Sequence, residues 1–164
     1  MRKIILIIFL ILTLLAGCKK TNEAPSKTIM LYSYVFDGLR GFYFETGTII
    51  RYPVTNNPNP DFSVLPQIDQ TGVIGPFLSN PDFTLVFALT NSFSDKESAD
   101  RYFDNYTTAS TTTYDLHALN LKPYQIWTIK TNKGRLAKIL VLDTQKGTMA
   151  DPWAEVTFRW DFIE

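Results

Sequence analysis

The sequence predicts an all-β domain with one short helix, arranged as an antiparallel sheet or sandwich. Three observations predict it. Val, Ile, Thr, Tyr and Phe cluster in short runs that Gly, Pro and Asn separate. Aromatic residues make up 14% of the chain, which suits the pleated, half-buried surface of a strand. The closing segment Glu155–Ile163 alternates strictly, with Val156, Phe158, Trp160 and Phe162 on one side and Glu155, Thr157, Arg159 and Asp161 on the other. A period of two with a single apolar face is the signature of a half-buried strand.

The elements follow in chain order. Thr28–Phe36 reads as a first strand that turns at Asp37-Gly38. Gly41–Glu45 and Thr48–Tyr52 flank Thr46-Gly47 and read as a hairpin. Pro53, Pro58, Pro60 and Pro66 lack the N–H that a ladder needs, so the segment Pro53–Pro66 reads as a long loop or a sheet edge. Phe83–Thr90 is a nearly continuous apolar run, as expected of a strand covered on both faces. Ser94-Asp95-Lys96-Glu97 fits a capping box, with Ser94 as the cap. The helix it opens runs to about Tyr106 and places Ala99, Tyr102, Phe103 and Tyr106 on one face. The threonine-rich run Thr107–Thr113 reads as an exposed loop or edge. Tyr124–Thr131 and Arg135–Asp143 flank Asn132-Lys133-Gly134 as a second hairpin, and with the closing strand they form a meander.

The amino-terminal end carries a different signal. Arg2 and Lys3 precede an uncharged apolar run from Ile4 to Ala16, which ends in Leu15-Ala16-Gly17-Cys18. A basic start, a short apolar stretch and small residues before a cut site make a secretory signal peptide. The run falls short of the roughly 20 apolar residues a membrane span needs. The cut site looks like the lipobox of bacterial lipoproteins, in which the cysteine becomes the first residue and its thiol is acylated. The expected organisation is therefore a lipoprotein signal peptide over 1–17, a flexible tether over 18–27 after lipidated Cys18, and a β-rich binding domain over 28–164. One acyl chain binds a bilayer only marginally, at about 0.8 kcal/mol per buried methylene. Two or three chains, palmitate among them, would hold the protein firmly. Lys19 and Lys20 follow where an aspartate signalling inner-membrane retention would stand, so the expected location is the cell envelope at the outer membrane.

Charge and cysteine usage exclude several classes. Losing Arg2 and Lys3 with the leader leaves fourteen basic against sixteen acidic side chains, a net charge of −2. That balance gives no basic surplus for a phosphate backbone, and no nucleic-acid partner is expected. Acylation of the one cysteine leaves no thiol for a disulfide or a Cys-type zinc site.

Candidate site residues are few. His117 is the single histidine, and a neutral imidazole can ligate haem iron or simply pack as a ring. Met149, in the loop with Gly147 and Pro152, is a candidate soft axial ligand, and Met30 is the other internal methionine. Asp95, Glu97, Asp100 and Asp104 read as a solvated helix face, and Asp61 and Asp69 lack the spacing of a calcium loop. Tyr32, Tyr34, Phe42, Tyr43, Phe44 and Trp127 are either core or the lining of a sugar or flat-ligand site, and Trp153 after Pro152 is a candidate exposed aromatic. No Gly-x-Ser-x-Gly elbow accompanies His117, and no enzymatic activity is expected.

The order of segments resembles the HmuY-like haem-binding lipoproteins of Bacteroidetes. Three stretches carry the resemblance: Gly41-Phe42-Tyr43-Phe44-Glu45-Thr46-Gly47, Tyr124-Gln125-Ile126-Trp127-Thr128-Ile129-Lys130-Thr131, and Val156-Thr157-Phe158-Arg159-Trp160. Where that family's middle strand opens with Trp-Asp, this chain has Asp82-Phe83. The resemblance implies a β-rich, membrane-anchored protein that captures haem between two axial side chains. Here those would be His117 and Met149, in a slot gated by the Asp115–Leu121 and Gly147–Trp153 loops. The expected function is non-enzymatic binding of haem or another flat hydrophobic ligand. The alternative is a structural or interaction lipoprotein that takes a protein or glycan partner, such as an outer-membrane protein, with no small-molecule ligand. Mass spectrometry of the mature protein should find Cys18 amino-terminal and acylated. Cys18→Ser should move the protein from the detergent phase to the aqueous phase, and a bare thiol in the wild type would contradict the anchor.

Overall fold

The computed structural model describes residues 27–53, 58–110 and 113–164, so the expected signal peptide over 1–17, Cys18 and the expected tether up to residue 26 lie outside the described residues. Ten strands and one helix fill the described chain: β1 Thr28–Tyr34, β2 Leu39–Tyr43, β3 Thr48–Tyr52, β4 Phe62–Asp69, β5 Gly72–Ser79, β6 Phe87–Ser92, α1 Lys96–Asn105, β7 His117–Ala118, β8 Gln125–Lys130, β9 Leu136–Lys146 and β10 Trp153–Phe162. They form two five-stranded sheets, ordered β1-β10-β9-β8-β6 and β3-β2-β4-β5-β7. Every pairing is antiparallel.

Alternation in β10 sets the packing. Ala154, Val156, Phe158 and Trp160 point inward and are buried, as are Leu31 of β1 and Ile139 and Val141 of β9. The second sheet answers with Phe42, Phe62, Val64 and Leu78. Phe42 is the hub of this interface, with ring centroids 5.1 Å from Phe44, 5.3 Å from Phe158 and 5.3 Å from Trp160, all edge-on. Edge-to-face pairs of this kind add about 0.5–1.5 kcal/mol each beyond area burial. Gly47 closes the β2–β3 hairpin at φ +64°, and a Cβ there would come within 2.9 Å of the Trp160 ring. Both conditions demand glycine.

A buried carboxylate ties the sheets at one end. Asp61 accepts from Phe44 N–H at 2.7 Å and, across the sandwich, from Asn132 N–H in the β8–β9 turn at 2.6 Å. Asn80 donates to the Asp61 carbonyl at 2.9 Å, and Asn132 Nδ2 donates to the Asn59 carbonyl at 3.1 Å and the Pro60 carbonyl at 3.2 Å. Burial pushes the Asp61 carboxyl above its ordinary 3.8, and the two N–H donors only partly offset that rise.

The helix lies on the outside of the first sheet. Ala99 and Phe103 pack on Ile126 and Leu140, with Tyr102, Tyr124 and Leu142 around them. Its cap is Asp95, one residue later than the sequence suggested: Asp95 Oδ1 accepts from Ser98 N–H at 2.8 Å. Lys138 reaches from β9 to the carbonyls of Phe103 at 2.6 Å and Tyr106 at 2.7 Å, placing a cation at the carboxyl-terminal end of the helix, where the Phe103 carbonyl also accepts from Tyr106 N–H at 3.4 Å. Burial lowers the Lys138 ammonium below its ordinary value. Of the expected solvated acidic face, Asp95, Glu97 and Asp104 are exposed while Asp100 is half-buried, and Arg159 of β10 bonds to both Asp100 and Asp104.

Two sequence expectations are refined for identifiable reasons. Pro66 lies inside β4 rather than in a loop, on a stretch that pairs with β5 alone and is therefore locally a sheet edge. It faces Pro76 of β5, so the two missing donors share a single rung. The flanking strands pair only as far as Ser63 and from Leu78 onward, so no other ladder is interrupted. The run from Phe83 is not a doubly covered strand: β6 begins at Phe87 on a sheet edge, and Phe83 and Leu85 are exposed. Residues 54–57 and 111–112, parts of the proline-rich and threonine-rich segments, lie outside the described residues.

Asp61→Asn should lower stability in urea titration by about 1–3 kcal/mol, since an amide nitrogen would face one of the two N–H donors. The raised carboxyl binds its proton more tightly in the folded state. Its contribution is therefore largest below 3.8 and declines as pH rises through its folded value. The advantage of wild type over Asp61→Asn should shrink between acid and neutral pH, and a constant difference would contradict the assignment.

Candidate functional site

Because β10 turns its even-numbered residues inward, its odd-numbered residues face out. Trp153 then stands beside Tyr34, and Glu155 stands between Tyr32 of β1 and Gln145 of β9. α1 covers the β8–β9 part of this outer face and reaches Arg159 on β10, leaving the β1 margin uncovered. There the Tyr32 and Trp153 rings lie 5.7 Å apart at 38°, and Tyr34 meets Phe36 edge-on at 5.4 Å. Tyr32, Tyr34 and Trp153 are half-buried, whereas Phe36 is 73% exposed and Met30 58%. The result is a shallow shelf of rings with carboxylates at its margin.

The turn at residues 147–152 holds the shelf in place. Gly147 N–H donates to the Trp153 carbonyl at 2.9 Å, and Thr148 N–H to the Asp151 carbonyl at 3.0 Å. A Cβ on Gly147 would overlap the Asp151 carbonyl and lie 2.5 Å from the Trp153 ring, so both the turn backbone and the indole close onto the glycine. Tyr34 is tied to the same turn through Asp151. Its phenol is raised above the ordinary 10.0 by partial desolvation and by the hydrogen bond and charge of the Asp151 carboxylate.

The other aromatics nominated by the sequence are core. Phe42 and Phe44 are fully buried, Tyr43 and Trp127 nearly so, and Trp127 Nε1 donates to Gln125 Oε1 at 3.3 Å. Tyr32, Tyr34 and Trp153 are the three brought together at a surface. Glu155 and Gln145 were missed as site residues. The outward half of the β10 alternation already marks Glu155, whereas Gln145 lies beyond Asp143, the expected end of that strand, in a β9 that runs on to Lys146.

His117 and Met149 are not brought together. His117 is in the two-residue strand β7, opposite Ser79 at the end of β5, with its ring edge-on to Phe77 at 5.4 Å. Its neighbour Asp115 bonds to Phe87, whose partner Ile129 faces Ala137 at the start of β9. Met149 follows the other end of β9, where Lys146 Nζ reaches the Val73 carbonyl at the start of β5 at 2.5 Å. The eleven residues of β9 span roughly 30 Å, so the two proposed gating loops sit at opposite ends of the sandwich. Met149 is 56% exposed, and Met30 points out from β1.

The acidic candidates are structural. Asp95 caps α1, Glu97 pairs with Arg101 at 3.7 Å, and Asp69 accepts from Thr71 N–H at 2.7 Å in the β4–β5 turn. Among the described residues no three His, Cys, Asp or Glu side chains converge as a metal site would require. Set against known proteins, the chain matches no family model, no curated protein and no solved structure.

Proposed function

We propose that this chain is a lipid-anchored envelope protein that binds rather than catalyses, and that its ligand is a glycan recognised on the aromatic shelf of β1 and β10. The observation that carries the reading is the grouping of Tyr32, Tyr34 and Trp153 on one uncovered face beside Glu155 and Gln145. Aromatic faces stack on the C–H face of a sugar ring, and carboxylates and amides at the margin accept and donate to its hydroxyls. Asp143, Asp151 and Glu155 make the surroundings acidic, which favours neutral or amino sugars over acidic polysaccharides. Shallow, partly exposed rings suit a polymer laid across the surface better than a ligand enclosed in a cavity.

The anchor is compatible with this placement. Cys18–Ser26 would reach at most about 30 Å before the domain begins. Tyr34 and Trp153 lie at the end of β1 remote from that tether, so the shelf is presented away from the lipid.

Affinity electrophoresis of the mature protein in gels containing a neutral glucan, a mannan, a galactan or chitin oligosaccharides should retard the wild type in at least one. Tyr32→Ala and Trp153→Ala should each weaken retention about ten-fold while keeping the wild-type far-ultraviolet circular dichroism, with a melting temperature lowered by no more than a few degrees. Gly147→Ala, whose Cβ would meet the Asp151 carbonyl as well as the indole, should weaken retention too, and lower the melting temperature because the turn must shift. Failure of every glycan to retard the protein would overturn the reading. Haemin titration is the discriminating arm: a saturable red-shifted Soret band lost in Tyr32→Ala would assign the shelf to a flat ring system, and one lost in His117→Ala would return the ligand to the histidine.

A further inference from the structure

The outer face of the second sheet carries a cleft that the glycan reading does not use. Cross-strand pairing places Ser63 of β4, Ser79 of β5 and His117 of β7 in one row, on the side facing away from the core. Among the described residues, the buried side-chain atoms that lack a hydrogen-bond partner are Ser63 Oγ and His117 Nδ1, the two ends of this row. Ser63 is 3% exposed. A buried hydroxyl in this state carries its full desolvation cost, and native structures hold few of them.

Ser63 and Ser79 form the floor of a concavity of about 80 Å³, walled by Leu39, Tyr52, Leu65 and Phe83. No ionisable carboxylate, ammonium or guanidinium lines it. Its rim is held rigidly. The fully buried Asn80 accepts on Oδ1 from Asp82 N–H at 2.9 Å and from the Thr84 hydroxyl at 3.1 Å, and its carbonyl accepts from Phe83 N–H at 3.1 Å. This turn keeps Phe83 at φ +51° with its ring 73% exposed at the mouth. A bulky residue in the left-handed region is strained and persists only where its surroundings impose it.

From these observations we infer that the cleft is a second binding site, for the end of a small uncharged molecule with an apolar body and one hydroxyl or carbonyl oxygen. The oxygen bonds to the Ser63 hydroxyl, and the body rests on Leu39, Leu65 and Phe83. Absence of charge from the lining excludes a carboxylate or ammonium as the buried group. The small volume admits only a few heavy atoms or a single ring face, with the remainder of the molecule projecting past Phe83. The site is independent of the aromatic shelf, which lies on the opposite sheet.

The test follows backbone amide shifts of the full mature chain, titrated with phenol as the hydroxyl-bearing probe and toluene as its oxygen-free counterpart. Phenol should produce saturable shifts at Leu65, Ser79 and Phe83, with half-saturation on the order of 1 mM. Toluene should bind about five-fold more weakly. Ser63→Ala should weaken phenol by the same factor and remove the preference over toluene, leaving amides elsewhere in the sandwich unmoved. Ser63→Val, which fills the floor, should abolish both. Equal binding of phenol and toluene to the wild type, an unaltered phenol curve in Ser63→Ala, or no saturable shift at these amides would overturn the site.

Discussion

The inward seating of Phe158 and Trp160 against Phe42 and Phe44 is the constraint on which the rest of the molecule depends. Strand side chains alternate with a period of two, so fixing those two rings in the core fixes every other side chain of β10. A slip of one residue would bury Glu155 and Arg159 and expose Phe158. The same register carries Trp153 and Glu155 to the outer surface and sets them against Tyr34 and Tyr32 of β1. The proposed binding face is thus the reverse side of the core, positioned by the same packing that holds the sheets together.

What is done with the outer faces divides the two sheets. On the first, α1 buries Ile126 and Leu140, and Lys138 and Arg159 fasten the helix by its carbonyls and carboxylates. An extra residue in β9, where the register shifts opposite Thr157 and Phe158, lets Leu142 join the helix contact. Only the β1 margin of this outer face is left uncovered. On the second sheet no helix covers the outer face among the described residues, and the polar row of Ser63, Ser79 and His117 is flanked by Leu65 and Phe77 instead. Asp61, Asn80 and Asn132 then join the two layers at one end through buried polar contacts that only this arrangement satisfies.

Much of this was legible in the sequence, where local pattern and tertiary demand agree. β10, the β8–β9 hairpin, the β2–β3 hairpin and the helix were all readable, because alternation, a turn glycine and a cap each act over a few residues. The β4–β5 hairpin was not, because Pro66 argues against a central strand unless its partner across the ladder, Pro76, is known. Likewise Phe83–Leu85 looked like core because composition cannot reveal that Asn80 turns the chain outward there. Of the site, Trp153 was singled out from sequence as a candidate exposed aromatic, whereas Tyr32 and Tyr34 were named only as aromatics among several. Separating the two tyrosines from Phe42, Phe44 and Trp127, and setting them beside Trp153, needed the register between β1 and β10, a pairing of residues more than a hundred positions apart. His117 and Met149 were linked by ligand chemistry alone, and topology sets them at opposite ends.

Hydroxyl-radical footprinting of the mature protein, with and without the glycan that retards it, tests the central claim most directly. Trp153 and Tyr32 should be oxidised in the free protein and protected when the glycan is bound, while Trp127 and Trp160 stay protected throughout. Oxidation of Trp160 at the rate of Trp153 in the free protein would contradict the register. Unchanged oxidation of Trp153 in the bound state would contradict the binding face.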